Sequence, residues 1–279
     1  MKKNDVWFVT GASKGIGLIL VKALLQRGYR VAATSRSLAD LTGAVEVESE
    51  RFLPLELDLG NEAAVQQAVR ATQEHFGGLH VIVNNAGYGQ FGTVEEVSDD
   101  EARRNFDVNV FGTLNVLRAA LPILREQRAG HVFNLSSIGG YVGGFSGWGI
   151  YCATKFAVSG LTEALHADLA PLGVQVTLVY PGYFRTSFLT ADSMVQPKRP
   201  IAAYEAARAS GLQHGQTING NQPGDPEKLA NVLIDVHEGG EAPLHLFLGS
   251  DSIALAEAKQ TQVTSAIAAH RALGVSTDY

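Results

Sequence analysis

Tyr151 and Lys155 stand one helical turn apart in the stretch YCATK. In an α-helix that interval puts both side chains on one face, where a phenol and an ammonium can touch the same ligand. The interval equally suits an amphipathic helix showing its aromatic and its charge to water, so the pair alone decides nothing. A second chemistry-bearing stretch is Thr10-Gly11-Ala12-Ser13-Lys14-Gly15-Ile16-Gly17. Its glycines permit a tight turn, close backbone approach and close helix–strand packing. The N–H groups and positive dipole of a following helix would then favour a pyrophosphate. The spacing is G-x-x-x-G-x-G rather than the general G-x-G-x-x-G fingerprint, and such turns also occur for purely backbone reasons. Its position between an apolar run and a helical pattern is what points to a dinucleotide. Thr34-Ser35-Arg36 follows the next apolar run and holds no carboxylate for the ribose hydroxyls. Arg36 and Lys14 supply two cations instead, favouring NADP(H) over NAD(H) unless both are merely solvated surface charges.

These residues need elements to place them. Seven β-rich runs alternate with helical stretches: 6–10, 30–35, 51–57, 79–85, 131–136, 174–180 and 244–249. They are continuously apolar rather than alternating, as strands covered on both faces are. The expected fold is therefore α/β: a Rossmann-like, doubly wound parallel sheet of about seven strands with helices on both faces. One domain over 1–279 is expected. The stretch 187–224 has weak periodicity, several prolines and INGNQPGDP, and it reads as a substrate lid inside that domain. Asp225-Pro226 then reads as an N-cap with proline at the first helical position.

Composition excludes several classes. The 279 residues are 46% hydrophobic and 18% charged, a soluble globular profile. A single cysteine, Cys152, rules out an intrachain disulfide framework and a thiolate metal cage. The net charge of −6 and the lack of basic clusters argue against nucleic acid. No apolar run is long enough for a signal peptide or a membrane span, so no membrane partner and a cytoplasmic location are expected. The histidines show neither ligand spacing nor a carboxylate cluster, and no metal is expected.

Ordered along the chain, these motifs resemble the short-chain dehydrogenases/reductases in their short form. TGASKGIG (10–17) is similar to the family's cofactor loop, Asp58-Leu59 to its adenine contact, and NNAG (84–87) to the close of its fourth strand. Asn109 in NVFG, Ser137 in NLSSIGG, YCATK and PGYFRT (181–186) complete the pattern. The resemblance implies a catalytic set of Asn109, Ser137, Tyr151 and Lys155. Tyr151 would exchange the proton with the reacting oxygen, although a free phenol, with a pKa of about 10, is a poor acid–base at neutral pH. Lys155 and an oxidised nicotinamide would stabilise its phenolate and lower that pKa, and Lys155 would also bond the nicotinamide ribose. Ser137 would bond the substrate oxygen, with the adjacent Ser136 as the competing register. Asn109 would hold a water on a proton path, unless it is a polar residue bonding nearby backbone. Gly11, Ser13, Lys14, Gly15, Ile16 and Gly17 would hold the cofactor, with Ser35 and Arg36 at its adenosine ribose. Asp58, Leu59, Asn85, Ala86 and Gly87 would flank the adenosine. Pro181, Gly182, Phe184 and Thr186 would face the nicotinamide.

The resemblance implies an NADP(H)-dependent carbonyl reductase or alcohol dehydrogenase, akin to hydroxysteroid and retinol dehydrogenase relatives. Its small-molecule ketone or secondary alcohol would be apolar, meeting Phe188, Leu189, Met194, Val195, Ile201, Tyr204 and Leu212 in the lid. Tyr141, Val142, Phe145 and Trp148 would form a second wall. Cys152, one residue past the tyrosine, is expected to point away from the site. A cofactor sensor without turnover and a nicotinamide-using epimerase or dehydratase are the alternative readings. Helices over 101–128 and 151–171 carry extended apolar faces, and a homodimer or homotetramer is expected.

Overall fold

The run VWFV becomes β1 (Val6–Val9), buried at every position because it lies inside a sheet covered on both faces. The computed structural model describes residues 4–279; Met1, Lys2 and Lys3, part of the start read above for a leader, lie outside the described residues. From β1 the chain passes through α1 (Gly15–Gln26), β2 (Arg30–Ser35), α2 (Leu38–Val45), β3 (Phe52–Glu56), α3 (Glu62–Phe76) and β4 (Val81–Asn84). A short β5 (Gly89–Gln90) leads to α4 (Asp99–Phe106), a π-helical turn (Asp107–Phe111) and α5 (Gly112–Gln127). Next come β6 (Gly130–Leu135), α6 (Gly149–Leu169), β7 (Val174–Pro181), β8 (Met194–Val195), α7 (Glu205–Leu212), α8 (Pro226–Gly239), β9 (His245–Leu248) and α9 (Ser250–Val275).

The main sheet has the order β3-β2-β1-β4-β6-β7-β9, all seven strands parallel. All seven expected strands are present, in a single-domain Rossmann-like α/β fold. The period of a strand explains its two cores. Trp7 and Val9 join α1 and α8 residues such as Leu20, Leu24 and Leu233 on one face. Val6 and Phe8 join Val65, Val69, Val116 and Leu124 of α3 and α5 on the other. Strand order reverses between β1 and β4, so a crevice opens at the carboxyl ends of the central strands.

Local chemistry starts the helices. Ser98 and Glu101 close a capping box on α4, and Asp225 accepts from the first-turn amides of α8, with Pro226 following as expected. The stretch 187–224 is more structured than its weak periodicity suggests. It carries β8, which pairs with β5, then α7 and a π-helical turn over Gln213–Ile218. α7 buries only Ala207, so little apolar periodicity marks it. Glu96 holds this stretch in place. Its carboxylate accepts both Arg208 guanidinium nitrogens (2.6 and 2.8 Å) and the Ile201 N–H (2.6 Å). The C-terminal helix α9 spans 26 residues yet buries only Ser252 and Ala256. Among the described residues no helix is long and apolar enough to cross a membrane.

Candidate active site

A cavity of about 920 Å³ occupies the crevice. The glycine loop forms one end. Gly11 has a φ of +67°, and a Cβ there would lie 2.8 Å from the Ala86 Cα, so both backbone conformation and close approach require glycine. Gly17 packs rather than binds, with Asn85 and Gly11 where its Cβ would be, and it lies off the cavity lining. Asn85 ties the loop to β4, its amide donating to Thr10 O (2.9 Å) and Gly11 O (3.0 Å). α1 begins with Lys14 at its N-cap, without a side-chain cap and without an acidic residue in its first turn. Its first amides and dipole are thus available to an anion. This cradle fits a dinucleotide pyrophosphate.

Ser13, Lys14, Gly15, Ile16, Ser35, Arg36, Asp58, Leu59, Asn85, Ala86 and Gly87 all line the cavity. Lys14 and Arg36 are exposed at its rim, and Lys14 Nζ donates to Asp192 O at 3.3 Å. Leu59 is held by Asn115, whose amide donates to its carbonyl at 2.7 Å. Arg104 of α4 also lines this end, as a third cation. Sequence reading missed it, because only the fold brings Arg104 and Arg36 within electrostatic reach of the same residue, Tyr88.

Tyr151 and Lys155 line the other end from α6, only 8% and 6% exposed. Lys155 Nζ donates to Leu135 O at 2.8 Å and lies 6.0 Å from the Tyr151 ring centroid. Burial pulls the Lys155 ammonium down to about 8. The Tyr151 phenol is pushed up, not down, from its ordinary value; burial dominates and a Ser137 hydrogen bond only opposes it. The expected lowering thus does not come from the protein's own groups, since Lys155 is turned to the Leu135 carbonyl.

Ser137 and Ser136 separate as alternation requires. Ser137 lines the cavity beside Tyr151, while Ser136 Oγ donates to Lys155 O (3.0 Å) and pairs with Ser159 Oγ behind the site. Asn109 lies in the π-helical turn, where the Gly112 N–H reaches back to Asp107 O. Its Oδ1 accepts from the Tyr88 N–H, and its Nδ2 donates to Tyr88 O and Thr154 Oγ1, the Thr154 bond at 3.0 Å. The side chain is saturated by scaffold and does not line the cavity. Any water contact falls to its backbone carbonyl, which already accepts from Thr113.

Pro181, Gly182, Phe184 and Thr186 line the cavity as well. The first turn of α9 secures them: Asp251 Oδ2 accepts from the Tyr183 N–H at 2.6 Å, and Ser252 Oγ donates to Tyr180 O at 2.8 Å. Phe145, Trp148, Phe188, Leu189 and Val195 form the aromatic end. Other expected wall residues face elsewhere. Tyr141 packs on Tyr180 and Phe247, Tyr204 donates to Glu95, and Leu212 is exposed. Val142, Met194 and Ile201 also lie off the lining. Cys152 corrects another expectation: it is buried but lines the cavity, its thiol pushed up to about 11 by burial. Gly139 of the turn Ile138–Gly140 packs against it, a Cβ there lying 3.3 Å from the Cys152 Sγ. Tyr183, His214 and Gln222 line the same chamber and were not singled out from sequence. No ligand spacing marks a lone histidine in an irregular stretch.

Comparison with known proteins agrees with this geometry. The short chain dehydrogenase family model matches residues 5–195. The oxidoreductase BOA17 of Botryotinia fuckeliana is 36% identical over 264 residues, 94% of this chain and 95% of that protein. A short-chain dehydrogenase structure from Streptomyces avermitilis superposes with a TM-score of 0.90 at 32% identity, over 98% of this chain and 100% of that one. A relative from Burkholderia phymatum in complex with NAD is 25% identical (TM-score 0.81; 93% and 94% covered). One from Burkholderia cenocepacia in complex with NADP is 26% identical (TM-score 0.73; 96% and 98% covered). Family model, full-length similarity and superposition agree, and the chain belongs to the short chain dehydrogenase family of oxidoreductases.

Proposed function

We propose that this protein transfers hydride between NADP(H) and a carbonyl or secondary alcohol, with Tyr151 as general acid–base. The observation that carries the reading is one cavity with a cationic glycine cradle at one end and Tyr151, Ser137 and Lys155 together at the other. Bound there, the cofactor supplies or accepts the hydride. Ser137 Oγ donates a hydrogen bond to the substrate oxygen, and Tyr151 exchanges the proton with it. Lys155, poorly solvated where it lies, is poised to leave Leu135 O for the ribose hydroxyls. Its charge then supports the Tyr151 phenolate. Asn109 acts as a positioning residue, fixing the Tyr88 backbone and Thr154 of α6.

Selection of NADP(H) rests on Arg36 and Lys14 at the rim, with Arg104 beside them and no carboxylate at the end of β2. The stretch 187–224 serves as the substrate lid, joined to the cofactor loop through Lys14 and Asp192. Self-association into a homodimer or homotetramer fits the exposed Phe111 and Phe156 near α4–α6. Oxidation of NADPH and NADH across a ketone and aldehyde panel tests the chemistry, with Tyr151→Phe alongside. NADPH-dependent turnover that falls by at least about a thousandfold in the mutant is expected; wild-type turnover in that mutant would overturn the assignment.

A further inference from the structure

The aromatic chamber holds a polar device that the proton transfer does not use. His214 Nδ1 lies 2.8 Å from Ser210 O, which can only accept, so this nitrogen carries the hydrogen. Burial holds the imidazole below its ordinary range and hence neutral at pH 7. Its Nε2 is then an acceptor, 2.9 Å from the Tyr183 hydroxyl, which must donate to it. The Tyr183 oxygen is left with acceptor lone pairs only, on a residue lining the cavity close enough to Tyr151 to act on its phenol.

Two further groups in the lining lack partners. Gln222 is 1% exposed, yet neither its Nε2 nor its Oε1 has a hydrogen-bond partner among the described residues. The indole N–H of Trp148 is likewise buried without a partner. These atoms are closed to the cavity as the side chains stand, so their unpaired cost of about 1–3 kcal/mol is carried by the fold and no ligand contact is assigned to them. The backbone two residues beyond Gln222 runs beside Tyr183, the Gly224 N–H donating to Tyr183 O at 2.9 Å.

We propose that the substrate is a hydroxylated carbonyl compound whose second oxygen donates to Tyr183, an acceptor fixed by His214. This deepens the oxidoreductase reading and rests on it for the reacting carbonyl. It also replaces the purely apolar substrate expected from the sequence. A site built for a hydroxyl discriminates strongly against the analogue lacking it.

The test reads binding rather than turnover. Calorimetry with the protein saturated in NADP⁺ would compare 1-phenyl-1-propanone with 2-hydroxy-2-methyl-1-phenyl-1-propanone and 3-hydroxy-1-phenyl-1-propanone, neither of which carries a secondary alcohol to be oxidised. At least one hydroxyketone is expected to bind about tenfold or more tightly than the parent ketone. Tyr183→Phe, which removes one atom, should bring that ratio to within about twofold by weakening only the hydroxyketone. His214→Phe, which frees Tyr183 from its tether, should also reduce it. Equal binding of all three ketones by the wild type, or a preference that survives Tyr183→Phe, would overturn the proposal. Repeating the titration in Tyr151→Phe separates the two readings: that background loses turnover but keeps the binding ratio.

Discussion

Lys155 shows most directly how a residue's function opposes its stability. An ammonium 6% exposed and donating to the Leu135 carbonyl is held at a pKa of about 8 against an ordinary 10.5. Folding therefore disfavours its charge. The associated stability is present above the unfolded value of 10.5 and is lost as pH falls through about 8. Lys155→Met should thus raise the unfolding free energy at pH 7 by about 2 kcal/mol, the burial cost less one lost hydrogen bond, while abolishing turnover. The advantage should shrink between pH 8 and 10.5 as the wild-type ammonium deprotonates. Denaturant melts at both pH values check the sign; a mutant less stable at pH 7 would refute it. Tyr151 and Lys155 were legible because a four-residue interval puts both on one helix face and the ordered motifs around them gave that face a role. The direction of the Tyr151 pKa was not, since it depends on how much protein surrounds the ring.

At the scale of elements, two devices position the site. The π-helical turn gives the chain between α4 and α5 an extra residue, and with it Asn109 reaches the Tyr88 backbone and Thr154. Glu96 fastens α7 and the chain before it, its carboxyl held near about 2 chiefly by the Arg208 guanidinium. Glu96→Gln should therefore speed amide exchange over 201–212 and raise KM more than it lowers kcat. Unchanged exchange would show that the stretch is held otherwise. α9 divides functionally: its first turn anchors Tyr183 through Asp251, while from residue 260 onward it is exposed. Deleting residues 262–279 should leave cofactor affinity within about twofold and move Tm by no more than about 2 °C, because almost no buried area is lost. Asp251→Ala should instead weaken cofactor binding, since it frees the loop at Gly182.

For the whole molecule, the reversal of strand order decides where everything meets. Residues from β1, β2, β4, β6 and β7 reach one crevice because parallel strands all end on the same side. Arg36, Lys14 and Arg104 come from three separate elements, and their charges add at the rim. Arg36→Asp should shift the NADPH/NADH ratio of kcat/KM toward NADH by about ten- to a hundredfold, as a carboxylate opposes the 2′-phosphate. An unchanged ratio would place the selection elsewhere.

By itself the sequence determined the seven strands, the glycine cradle and the Tyr151–Lys155 pair, because strand burial, tight turns and helical periodicity are local properties of the chain. Only the tertiary structure decided that Ser137 rather than Ser136 meets the cavity, that Cys152 lines it, and that Asn109 is spent on scaffold. It alone joined Tyr183 to His214 across an irregular stretch and left Gln222 buried without a partner. Hydrogen bonding and desolvation are set by what surrounds a group in space, and no spacing along the chain encodes that.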